Sequence, residues 1–120
     1  MPPEITDPEA QTRSFLVRIL ALDDNILHPK LREAAVDCSL GAHPDETAAW
    51  WYPSTIGTYN PQIKALTRRQ ATLNRVTYWC LDILANVTNK NPSPTCPLKL
   101  IDRYLTKREK YEKSAKKTME

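Results

Sequence analysis

Two glycines in 120 residues leave no material for a phosphate-cradling loop of the P-loop or dinucleotide type, which needs several glycines at fixed spacing. Cysteine is also scarce. Cys38, Cys80 and Cys96 form an odd set with wide gaps, neither a disulfide framework nor a zinc site. The longest apolar run, residues 15–22, is broken by Arg18 and falls far short of the ~20 residues a membrane span needs. The opening Met1-Pro2-Pro3-Glu4 lacks the basic and apolar regions of a secretory signal. The reading is therefore an intracellular protein, cytoplasmic or nuclear, without a membrane span.

Catalytic material is equally thin. General acid–base chemistry needs positioned groups of tunable pKa, and the two histidines, His28 and His43, each stand directly before a proline at an expected helix start. His43 and Glu46 are three apart, but no second pair of ligands completes a metal shell. No Ser/His/Asp or Cys/His arrangement is present. No enzyme, no cofactor and no metal are expected.

Prolines are plentiful, ten of them, and they mark helix starts. Asp7-Pro8-Glu9 supplies an N-cap, a proline in the first turn and an early acid, and the first helix should end near residues 23–25. Pro29 opens a second helix with Leu31, Ala34, Ala35 and Cys38 on one face, closed by Gly41. Pro44 begins a short third helix through Trp51, and residues 54–60 read as a loop. Asn60-Pro61 precedes the longest element, about 62–87. On a wheel of about 100° per residue its apolar arc holds Leu73, Val76, Cys80 and Leu84, with Trp79 at the border; Tyr78 points away, beside a stripe of Lys64, Arg68 and Arg75. A proline-rich connector, 89–97, leads to a last helix that packs through Leu98, Ile101 and Leu105. Period-two alternation is absent except briefly at 55–59. These signals predict an all-α fold: one compact bundle of about five helices over 1–113, with a long central helix, a basic C-terminal helix and a frayed basic tail at 114–120.

Charge separates along the chain. Residues 1–60 hold four basic side chains and nine acids, and residues 61–120 hold thirteen basic side chains and five acids. Solubility alone does not require the signs to segregate. A helical cationic face suits a nucleic-acid backbone, where counterion release supplies affinity without sequence preference. Lys64, Arg68, Arg69, Arg75, Lys107, Arg108 and Lys110 are the expected phosphate contacts, Arg69 falling within the apolar arc. Trp50, Trp51 and Tyr52 are consecutive, so they cannot all enter one core. With Tyr59, Tyr78 and Tyr104 they are the expected stacking or interface residues.

The leading expectation is a self-associating, non-enzymatic nucleic-acid-binding protein, RNA or single strands favoured. The alternative is a protein–protein adapter or assembly subunit, viral structural, matrix-like or host-factor-binding. It would use the patch at residues 50–52 and the opposed charges of the two halves. In size, helix count and basic face the chain is similar to small helical nucleocapsid, matrix or silencing-suppressor proteins of viruses, an architectural likeness that assigns no residue a role.

Overall fold

A computed structural model describes residues 7–42, 68–88 and 98–119. Four helices and no strands occur among them: α1 Pro8–Leu20, α2 Pro29–Ser39, α3 Arg68–Thr88 and α4 Leu98–Met119. The expected third helix, the loop at 54–60, the first turns of the 62–87 helix and the connector at 89–97 lie outside the described residues. So do His43, Trp50, Trp51, Tyr52, Tyr59, Lys64 and Cys96.

Local chemistry sets the ends of the first two helices. Asp7 caps α1, its Oδ1 accepting from the Glu9 N–H at 3.1 Å, with Pro8 in the first turn. His28 does the same for α2, its Nδ1 accepting from the Lys30 N–H at 3.2 Å. The far end of α2 is a Schellman closure. Ala42 N–H reaches the Asp37 carbonyl (2.9 Å), Gly41 N–H reaches Cys38 (3.2 Å), and Gly41 adopts φ +106°. The first helix stops at Leu20, earlier than the sequence pattern suggests. The residues beyond it still fold inward, because Leu22 and Leu27 are buried in the core.

The core lies where α1 packs against α2, α3 and α4. Phe15, Leu16 and Ile19 of α1 meet Ala35 and Cys38 of α2, Leu73, Cys80, Leu81 and Leu84 of α3, and Ile101 and Leu105 of α4. Burying a side chain such as Leu105 contributes about 1.5–3 kcal/mol, and this attaches the last helix to the body. Cys38 and Cys80 are buried thiols that pack as small apolar residues. Two buried hydroxyls are satisfied within their own helices: Thr12 donates to the Pro8 carbonyl and Thr77 to that of Leu73. Arg13 of α1 donates to the Cys38 carbonyl at the end of α2, placing a cation where the helix dipole is negative.

The α3 wheel needs a correction. The buried arc is wider than the apolar pattern shows and takes in Asn74, Thr77, Leu81 and Ala85. Both α1 and α2 press on this helix, so it buries two adjoining faces. Tyr78, expected outward among cations, is half-buried against the core. Trp79, expected at the core border, is 37% exposed and falls next to Arg68 on the wheel, within about 40° of Arg75. Leu98, Ile101 and Leu105 pack as expected, and α4 continues as helix through Met119.

Candidate nucleic-acid interface

Three ion-pair clusters fix α4 on the body, and they sort its charges. Arg18 of α1 reaches across with the Nε–Nη2 edge of its guanidinium. Nη2 donates to Glu109 Oε1 at 2.7 Å and Nε to Oε2 at 3.1 Å, while Nη1 donates to Asp102 at 3.0 Å. The hydrogen bond to Arg18 holds the Glu109 carboxyl below its ordinary range, with burial opposing and Lys113 assisting. The same contact keeps Arg18 more firmly protonated. Its guanidinium also lies 5.9 Å from the Phe15 ring centre.

The second and third clusters centre on the turn between α1 and α2. Asp23 accepts from Lys116 at 2.7 Å, and its backbone N–H donates to Glu112 at 3.3 Å. Asp24 Oδ2 accepts from Arg69 Nη1 of α3 and Arg108 Nη2 of α4, both at 2.7 Å. The Arg69 guanidinium lies 5.5 Å from the Tyr111 ring centre. Nearby Tyr104 is half-buried against the core, and burial raises its phenol pKa against the opposing charges of Arg108 and Arg69.

The expected site residues therefore divide. Arg69 and Arg108 are engaged by Asp24 rather than free on the surface, since the acidic turn folds back onto the basic half. The charge segregation visible along the chain is partly cancelled inside the molecule. Tyr78 and Tyr104 pack inward, not outward as stacking residues. Arg68 and Arg75 are exposed on α3, and Lys107 and Lys110 on α4.

Sequence reasoning missed the full extent of the α4 surface. Lys99, Arg103, Lys107, Lys110 and Lys113 are all exposed. At about 100° per residue they fall within about 120° of arc and run along about 21 Å of helix. No acid interrupts that arc. Asp102 and Glu109 border the arc beside Lys113 and Glu112 lies opposite it, and all three are in contact with Arg18 or Asp23. Lys99, Arg103, Lys107 and Lys110 make no ion pair among the described residues. The wheel that revealed the stripe on the long helix would have found this arc, had it been applied to the last one.

Among the described residues no group of three or more His, Cys, Asp or Glu could hold a metal, and no helix is long and apolar enough to cross a membrane. No family model matches this chain, and comparison with curated proteins and with solved structures likewise finds no match.

Proposed function

We propose that this protein binds single-stranded nucleic acid, RNA favoured, along the outward face of α4. The observation that carries the reading is the sorting of charge on that helix. A face serving solubility alone gains from mixed signs at i, i+4; here Asp102, Glu109 and Glu112 each contact the body, and five cations share an arc in which no acid lies. Five like charges over about 21 Å repel one another and gather counterions, and a polyanion that displaces those counterions gains affinity. Trp79, exposed one turn from Arg75, offers a stacking surface, which selects unpaired bases. Self-association belongs to the same reading, because a repeating polymer rewards several linked copies. The adapter alternative uses the patch at residues 50–52, which lies outside the described residues, together with the opposed charges of the two halves.

Fluorescence anisotropy with a labelled single-stranded RNA of about 20 nucleotides tests it, since five phosphate contacts predict a log–log salt slope of about −3.5. The charge-reversed pair Lys107→Glu and Lys110→Glu should flatten that slope by at least about 1.4, at 0.7 per cation lost. Unchanged binding by the double variant, or stronger binding to anionic lipid vesicles than to RNA, overturns the proposal.

A further inference from the structure

We infer that Arg69, Arg108 and Tyr111 form a second phosphate site, which the carboxylate of Asp24 fills in the free chain. The identity of its ligand, a backbone phosphodiester of the strand held by α4, rests on the function proposed above. The site itself does not.

The argument starts from how two arginines use the same edge. Arg18 presents Nε and Nη2 to Glu109, and each nitrogen has its own oxygen, at 3.1 and 2.7 Å. Arg108 donates to Asp24 through Nη2 alone. Its Nε is buried and finds no acceptor among the described residues, and the Arg108 side chain as a whole is 10% exposed. The oxygen that Nη2 uses, Oδ2, is also the oxygen that Arg69 uses. Two guanidiniums from two helices thus share one acceptor atom, and one strong buried donor is left over.

An orphaned charged donor in such a place is costly. A phosphate removes the mismatch, because its separate oxygens can take Nε and Nη2 of Arg108 side by side and Arg69 Nη1 on a third. The cradle is open to an incoming ligand: Arg69 and Asp24 are 46% and 44% exposed. Two guanidiniums against one carboxylate leave a positive remainder, and Tyr111 supports the Arg69 plane. The turn itself is fastened through Asp23, to Lys116 and to Glu112. Asp24 can therefore be displaced as a side chain while the turn stays in place. Asp24 acts as a built-in competitor for the polyanion.

The test compares the wild-type chain, Asp24→Asn, and Asp24→Asn combined with Arg108→Lys. With about 10 mM pyrophosphate, Asp24→Asn should gain several degrees of melting temperature beyond any wild-type gain. It should also hold the single-stranded RNA about five- to tenfold more tightly, with a steeper salt slope. Adding Arg108→Lys should abolish both gains, since lysine lacks the two-nitrogen edge. Arginine Nε–Hε NMR signals provide a second readout on the unaltered protein, should Asp24→Asn melt early. The Arg108 signal should move with pyrophosphate, and the Arg18 signal should not.

No added pyrophosphate stabilisation in a folded Asp24→Asn, a gain that survives Arg108→Lys, or a static Arg108 signal overturns the site. An Arg108-dependent response to pyrophosphate without RNA binding by any variant upholds the site and refutes the nucleic-acid reading. Preference for phosphatidylglycerol vesicles over RNA overturns the assigned ligand.

Discussion

Arg18 and Glu109 meet edge to edge, with two hydrogen bonds of 2.7 and 3.1 Å joining the first helix to the last. The pair sits over the line where Ile101 and Leu105 enter the core. It does more than add attraction, because it fixes the rotation of α4 and so decides which residues face water. Arg18→Ala should cost about 1–2 kcal/mol in urea denaturation, a figure kept low because the pair is partly solvated. Arg18→Lys keeps the charge and loses the paired edge, so it should recover only part of that. Equal stability for all three proteins would show that the apolar contacts alone orient the helix.

The carboxylates give stability a defined pH dependence. Glu109 has a folded pKa below its unfolded value, so its contribution is complete above the ordinary glutamate range, about 4.3. That contribution falls as the pH drops through the folded value. Asp82 works in the opposite direction: burial raises its pKa, so its charge opposes folding at neutral pH and the opposition fades on acidification. Asp82→Asn should therefore raise the melting temperature at pH 7 and have no effect well below the aspartate range. A neutral-pH loss on Asp82→Asn would contradict this sign.

Gly41 isolates a backbone effect. Among the described residues nothing would lie within 4 Å of a Cβ at this position, yet φ is +106°. Gly41→Ala should cost about 1–2 kcal/mol through conformation alone. Gly41→Asn should cost less, asparagine being the better tenant of positive φ. Denaturant midpoints with unchanged m-values check both.

His28 caps α2 through a ring nitrogen, an acceptor role that aspartate fills at least as well. Removing the cap in His28→Ala should cost about 1 kcal/mol. His28→Asp should match or exceed the wild-type melting temperature. If both variants fall together, the ring contributes through packing rather than through the Lys30 N–H.

Trp79 separates binding from stability. Trp79→Ala removes a partly exposed ring, so unfolding should shift by no more than about 1 kcal/mol. Loss of one stacked base, about 1–3 kcal/mol, should weaken single-stranded RNA binding by roughly fivefold or more while duplex affinity changes little. A large stability loss without an affinity change would show that the ring packs the fold and does not stack a base.

Much of this architecture could be read from short-range signals. Asp7-Pro8 and His28-Pro29 start helices because caps and prolines act over a few residues. Gly41 closes one for the same reason, and Ile101 and Leu105 announce the packing side of α4 by their spacing. What was hidden depends on partners far away in sequence. The Asp23-Asp24 pair looks like an ordinary polar helix end; its roles appear only when residues 69, 108, 112 and 116 are brought beside it. Tyr78 and Trp79 exchanged expected places because a wheel shows the direction of an apolar arc but not how many neighbours press on it. The α4 surface is partly visible in the sequence: the basic run points to Lys107 and Lys110, whereas Lys99, Arg103 and Lys113 join them only once the helix is wound.

The ion pairs of Arg18 span 84 and 91 positions of the chain. A ribosome adding about 5–20 residues per second makes α1 several seconds before the anions that receive Arg18 exist. During synthesis Phe15, Leu16 and Ile19 can gather against α2 and α3, but the side they present to Ile101 and Leu105 stays uncovered. Closure of the bundle is thus a late event, timed by emergence of the final helix. A nascent chain stalled ahead of Leu98 should be a client for chaperones that hold exposed apolar surface, and release should coincide with the arrival of Glu109.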